Sequence, residues 1–270
     1  MKPVPVRNIP ALFCLLLTFA IPAYAAGSAD VPTAPNVTAE YEPTAQQMEE
    51  IKKQEYARSG VEKAASIRIL RTFGDTYMYG KGVKQDYAEA LYWYRSAAEQ
   101  GDVESKNQLG LIFSDGGYGI TRDQIKATKW FLEAAEQGNG NAQGNIALRY
   151  DSRSGVDQEH VEERGGIKPD DIKAVNWYRK AADQGLGIAQ RNLGLHYELG
   201  LGIKKSAEEA YFWYSLMYNG GVAGHNAGAV DNAKSYMEKV SQSLTKAQIE
   251  NAQDRVRAWK PVKDSTFTQH

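Results

Sequence analysis

Apolar positions in this chain recur at helical spacing, in blocks that repeat along its length. Ala90, Trp93, Tyr94, Ala97 and Ala98 fall at i, i+3, i+4, i+7 and i+8, the single apolar stripe of an α-helix with one buried face. The spacing returns as Ala127, Trp130, Phe131, Ala134, Ala135 and again as Ala174, Trp177, Tyr178, Ala181, Ala182. A fourth pair, Trp213-Tyr214, continues it, with Met217-Tyr218 in place of the two alanines. The Trp-aromatic pairs stand 37, 47 and 36 residues apart, one period near 36 broken by an insertion in the third copy. Asp86, Asp123, Asp170 and Ser206 lie seven residues before each Trp and predict N-caps. Gly101, Gly138, Gly185 and Gly221 follow the stripes and predict helix ends.

The first half of each block predicts a second helix. Phe73, Gly74 and Tyr77 match Leu109, Gly110 and Phe113, then Ile146, Ala147 and Tyr150, then Leu193, Gly194 and Tyr197. A large-small-large triplet at i, i+1, i+4 suits a helix whose backbone approaches its partner at the small residue. Glycine turns join the two halves: Gly80-Lys81-Gly82-Val83, Gly116-Gly117-Tyr118-Gly119-Ile120 and Gly200-Leu201-Gly202-Ile203. Each block therefore reads as a helix–turn–helix hairpin whose apolar face is buried only by stacking on its neighbours.

The motif L-G-x-x-Y-x-x-G-x-G-V-x-x-D-x-x-x-A-x-x-W-Y-x-x-A-A-x-x-G over residues 64–221 resembles the Sel1-like repeat, a relative of the tetratricopeptide repeat. The resemblance implies an all-α, right-handed α-solenoid of about four repeats, near 64–101, 102–138, 139–185 and 186–221, with helical caps at both ends. Copy three departs from the motif at Ala147 and by its insert, and copy four at Met217-Tyr218.

Outside the repeats, Lys2 and Arg7, the apolar run Ala11–Ile21 and Ala23-Tyr24-Ala25 read as a cleavable secretory signal over residues 1–25. The run is about eleven residues, short of the roughly 20 that a spanning helix needs. Residues 26–43, with three prolines, read as a flexible linker. A capping helix is expected within 44–63, with Thr44 and Gln47 at its start. Residues 222–260 are expected to hold two closing helices, with Ser243 or Thr245 as a cap and Ala247, Ile249, Ala252, Val256 and Trp259 facing inward. Residues 261–270 read as a polar tail.

Composition narrows the function classes. Removing Lys2 and Arg7 takes 32 basic residues to 30 against 33 acidic, a net charge of about −3. That opposes nucleic-acid binding, whose affinity rests on basic surface. Cys14, the lone cysteine, lies in the signal, so no disulfide framework is expected. No nucleophile elbow, HExxH motif or dinucleotide loop occurs, and no catalytic residue, cofactor or metal is expected. Asp157, Glu159, His160, Glu162 and Glu163 hint at a cation site, which a solvated acidic loop explains as well.

What remains is surface. In the related tetratricopeptide fold the first helix of each hairpin lines the concave face. Carried over by position, partner-facing residues would be Arg68, Arg71, Asp75, Met78 and Tyr79 in copy one and Glu104, Asn107, Leu111, Ser114 and Asp115 in copy two. Copy three gives Asn141, Gly144, Leu148, Asp151 and Ser152, and copy four Ile188, Arg191, Leu195, Glu198 and Leu199. The insert, including Arg153, Asp157, Glu159, His160, Glu162 and Arg164, reads equally as an added binding edge and as a tolerated surface loop. The resemblance and the signal together imply a non-enzymatic periplasmic adaptor that binds a protein, such as an envelope protein. Its specialised form would be an immunity protein neutralising a phospholipase effector of type VI secretion. A secreted host-interaction factor and a cell-wall hydrolase using the insert are the alternatives.

Overall fold

The computed structural model describes residues 60–116, 119–154, 161–163 and 165–262. The signal, the linker, the 44–59 stretch, the Gly117-Tyr118 turn pair, insert residues 155–160 and 164, and residues 263–270 lie outside them. Ten helices and no strand are found among the described residues: α1 (Gly60–Tyr79), α2 (Tyr87–Glu99), α3 (Val103–Asp115), α4 (Gln124–Glu136), α5 (Gly140–Tyr150), α6 (Asp171–Asp183), α7 (Gly187–Leu199), α8 (Ala207–Ala223), α9 (Ala227–Ser241) and α10 (Lys246–Ala258). From α1 to α9 each helix packs on the next in sequence, and α10 packs instead on α8. α1 runs without a break through residues 63 and 64. No described helix is long and apolar enough to cross a membrane.

Local chemistry fixes these bounds. Asp86, Asp123, Asp170 and Ser206 are extended in backbone, and each side-chain oxygen accepts an N–H of the first turn that follows. Gly101, Gly138 and Gly185 take positive φ just past α2, α4 and α6, where the last turn must reverse. Gly221 does not: α8 continues through it to Ala223. A Cβ there would sit 3.1 Å from Val230 and 3.3 Å from Ala229, so this glycine admits α9 rather than ending α8.

Inside each hairpin the small residue of the triplet lies under an aromatic ring. A Cβ on Gly74 would stand 2.6 Å from the Tyr94 ring, on Gly110 2.6 Å from Phe131, and on Gly194 2.5 Å from Tyr214. Those rings and Tyr178 are almost fully buried. The tyrosine hydroxyls then donate to acids on the facing helix, Tyr94 to Asp75 at 2.7 Å, Tyr178 to Asp151 at 3.1 Å and Tyr214 to Glu198 at 2.9 Å. Phe131 has no hydroxyl, and the Arg149 guanidinium lies 4.8 Å from its ring centre instead.

Every hairpin closes with one backbone bond from the N-cap to the last triplet residue. Asp86 N–H donates to the Tyr77 carbonyl at 3.1 Å, Asp123 to Phe113 at 2.8 Å, Asp170 to Tyr150 at 2.8 Å and Ser206 to Tyr197 at 2.9 Å. The long third connection therefore returns to the same closure. Its far end is anchored too: Ile167 is buried with Phe113, Ala127 and Phe131. The expected tryptophan core is only half met. Trp93 and Trp213 are buried, whereas Trp130 and Trp177 are partly exposed at the seams, each touching two successive core clusters.

At the C-terminal end Thr245 is the cap, in a reciprocal capping box with Gln248. Ala252 is buried, and Ile249, Val256 and Trp259 pack on the core, but Ala247 is exposed. A bidentate pair from Arg255 to Glu209, at 2.6 and 3.0 Å, ties α10 to α8. Residues 261 and 262 are not free tail: Val262 N–H donates to the Asp183 carbonyl at 2.8 Å.

The close contacts yield a paired prediction. Gly194→Val should lower the unfolding free energy in urea by about 3 kcal/mol, because the branched side chain enters the Tyr214 ring. Gly144→Ala, where a Cβ meets nothing within 4 Å, should instead raise it by up to about 1 kcal/mol.

Candidate functional site

The first helices of copies two, three and four bring their polar faces to one open groove of about 480 Å³. Glu104, Asn107, Gln108 and Leu111 of α3 line it, with Gly140, Asn141, Gly144, Asn145 and Leu148 of α5. Leu186, Gly187, Ile188 and Ala189 at the start of α7, and Tyr178 of α6, complete it. The sequence explains the opening. Gly144 and Gly187 remove side chains where other helical positions would fill the space, while Gly140 lets Leu186 and Gln184 approach α5 closely. A Cβ on Gly144 would meet nothing, and one on Gly187 only Met217 at 3.9 Å.

Apolar and amide groups alternate across the groove. Leu148 is 40% and Ile188 71% exposed, a large apolar area for a water-facing surface. Asn107 is 2% exposed, and its side-chain oxygen is buried without a hydrogen-bond partner. A buried acceptor left unpaired costs on the order of 1–3 kcal/mol, so this atom is poised for a donor from outside. Glu104 is the one charged side chain in the lining, and one of its oxygens accepts from Asn139 at 2.9 Å.

Of the partner-facing residues expected from sequence, Asn107, Leu111, Asn141 and Leu148 line the groove, as do Glu104, Gly144 and Ile188. The others lie elsewhere. Arg71 donates to Asp102 at 2.9 Å, Asp75 accepts from Tyr94, and Glu198 accepts from Tyr214 and pairs with Lys239 at 2.7 Å. Arg191 bonds Asn192, and Leu195 packs on the core. Arg68, Tyr79 and Asp115 are exposed away from the groove lining. Gln108 and Asn145 escaped the positional rule because it samples the fifth residue of each first helix and passes over the sixth, and Leu186 escaped it because it precedes α7 as the N-cap. The glycine pair four residues apart in α5 was the available signal.

Beside the groove, a buried polar network joins α5, α6 and α7. The Asp151 carboxylate receives the Arg153 backbone N–H at 2.9 Å, its guanidinium at 3.0 Å and the Tyr178 hydroxyl at 3.1 Å. His196, fully buried, presents Nε2 to Asp151 at 3.3 Å while Nδ1 donates to the Leu201 carbonyl at 2.9 Å. The Nε2 contact is electrostatic in character, its alignment being too poor for a regular hydrogen bond. Burial opposes ionisation of Asp151 most strongly, yet the His196 contact and the Arg153 backbone and guanidinium donors together hold its carboxyl well below the usual range. Asp171 comes within 4.8 Å of this pair but is occupied by the Ser152 amide and hydroxyl, at 3.0 and 2.8 Å. Resident donors thus fill the oxygens that a metal would need. Asp151 and Ser152, placed among surface positions by the repeat count, here serve the fold.

In the insert, Arg153 turns back onto Asp151, and Glu162 and Glu163 are exposed. Asp157, Glu159, His160 and Arg164 lie outside the described residues.

A string of helical hairpins closed by N-capping aspartates and sealed by aromatic-over-glycine contacts is a helical-repeat architecture. The Sel1 repeat family matches residues 74–102, 103–139, 160–186 and 187–222, and the chain is a Sel1-repeat protein. Among solved structures, a Sel1 repeat protein from Oxalobacter formigenes has 27% identity and a TM-score of 0.54, over 80% of this chain and 79% of that one. A protective antigen of uropathogenic Escherichia coli with an SLR fold has 22% identity and a TM-score of 0.43 over 79% of this chain, which spans 52% of its length. An immunity protein from Pseudomonas aeruginosa has 13% identity and a TM-score of 0.41, over 83% of this chain and 90% of that one. No curated protein matches the chain significantly in sequence.

The Asp151 network predicts a pH dependence with a definite sign. Its folded carboxyl ionises more readily than the unfolded one, so its stabilising share is complete above the unfolded value of about 3.9 and is lost as pH falls through the lower folded value. Asp151→Asn should cost about 3–5 kcal/mol at pH 7, measured by urea unfolding, because it leaves the Arg153 guanidinium without its counter-charge. The gap between variant and wild type should narrow on acidification below about pH 4.

Proposed function

We propose that this chain is a non-enzymatic protein-binding module, and that the groove over α3, α5 and the start of α7 holds a segment of its partner. One observation carries the reading. Successive repeats contribute equivalent positions to a single opening that combines exposed Leu148 and Ile188 with an unpaired buried acceptor on Asn107. Sel1 repeats typically serve as adaptor modules, which fits a chain with four of them. The export pattern in residues 1–25 supports a periplasmic location for the module, with secretion the alternative. Its most concrete specialised form is an immunity protein that binds and neutralises a phospholipase effector of type VI secretion. That form follows from the family resemblance together with the export pattern, and an envelope protein is the other partner class.

The test uses residues 26–270 as bait for native periplasmic extract, with the retained protein identified and its affinity then measured in purified form. Gly144→Arg is the discriminating variant, since its Cβ enters open space while the long side chain occupies the groove. The variant should keep the wild-type melting temperature and weaken the identified complex by at least tenfold, about 1.4 kcal/mol. Undiminished affinity would remove the groove from the reading. If the identified partner is a phospholipase, its hydrolysis rate should fall on addition of the wild-type chain and recover with the variant.

A further inference from the structure

We infer that the groove selects a partner segment carrying a lysine or arginine beside a branched or long aliphatic side chain. This rests on the reading of the groove as a protein-binding site and adds the chemistry of what it accepts. Asn107 brings a buried oxygen with no partner, and Glu104 brings a carboxylate with one oxygen held by Asn139 and the other free of any hydrogen bond in the structure. Both are acceptors on α3, three residues apart and so on one helix face. No basic side chain lines the groove to answer them: Lys106 points to Glu133 at 3.4 Å, and Arg71 is paired with Asp102. An acidic ligand would set a second negative charge against Glu104 and bring no donor to the Asn107 oxygen. A ligand with a cationic N–H group satisfies both.

The apolar groups of the site are Leu148 and Ile188, with Leu111 of α3 among the same lining. Leu148 and Ile188 are exposed on α5 and at the start of α7, and the backbone between them is bared at Gly144 and Gly187. An aliphatic side chain seated there would cover both residues and approach the α5 backbone closely. Together these groups specify a short amphipathic signature, a cation for Glu104 and an aliphatic group for Leu148 and Ile188. A charge-assisted hydrogen bond is stronger than a neutral one, which discriminates a basic segment from an acidic one.

Selection of a random peptide library displayed on phage, with residues 26–270 as the immobilised target, tests this directly. Enriched sequences are expected to place Lys or Arg within a few residues of Leu, Ile or Met. A synthetic peptide of the most enriched sequence should bind with fluorescence anisotropy at least tenfold weaker to Glu104→Gln and undetectably to Gly144→Arg. Glu104→Gln keeps an amide oxygen for Asn139, so its melting temperature should equal that of wild type. Peptides that lose binding to Gly144→Arg but carry no cation, or that bind Glu104→Gln as well as wild type, would overturn the basic-segment inference while leaving the groove as the binding site. Failure to select any peptide sensitive to Gly144→Arg would overturn both.

Discussion

The contact on which everything else depends is the close approach of two backbones within each hairpin. A glycine Cα, or Ala147 in the third copy, occupies the space beneath an aromatic ring, and the ring fills the room that a larger side chain would need. Helices packed this tightly cannot slide, because every displacement drives ring atoms into backbone. The constraint also explains the alanines of the second helices, which admit the next hairpin at similarly short range. Repeating the contact four times turns a set of marginal two-helix units into a continuous core.

That rigidity separates what can vary from what cannot. Each hairpin is closed by the same bond between N-cap amide and triplet carbonyl, so the connection may lengthen without moving the helices it joins. The third connection uses this freedom. Its near end turns back through Arg153 onto Asp151, and its far end buries Ile167 against α4. The insert is thus held at both ends by the repeats. The Asp151 network sits where copy three meets copy four and ties three helices through charge, as the Arg71–Asp102 pair ties copy one to copy two.

Most of the architecture was legible in the sequence because it rests on local, repeated chemistry. The N-caps at Asp86, Asp123, Asp170 and Ser206 and the helix reversals at Gly101, Gly138 and Gly185 could be read from spacing alone. Gly221 misled because glycine has two uses: the same residue that ends a helix also admits a neighbour, and only the position of α9 decides between them. Trp130 and Trp177 misled for a related reason, since a helical stripe fixes direction but not whether the next repeat covers the whole ring. The Asp151–His196 contact joins residues 45 positions apart in different repeats, and no periodicity could announce it. Candidate partner-facing residues were the least legible. Their side chains are free to be used either outward or inward, and Arg71, Asp75 and Glu198 are used inward.

The distribution of those inward uses bears on where function can reside. The ninth position of the first helix is Asp75, Leu111, Leu148 and Leu195 in the four copies. In copy one it is consumed by the Tyr94 hydroxyl, and in copy four it packs on the core. Only in copies two and three does it face the groove, and there the fifth position offers an unpaired amide in one copy and bare backbone in the other. Repeats that are identical in their packing rules thus diverge in what they leave uncommitted. A core built by repetition fixes the frame cheaply, and recognition is confined to the few positions that the frame does not claim. Here those positions lie together across three successive first helices, which is why the groove, rather than any single residue, is the unit on which selection for a partner can act.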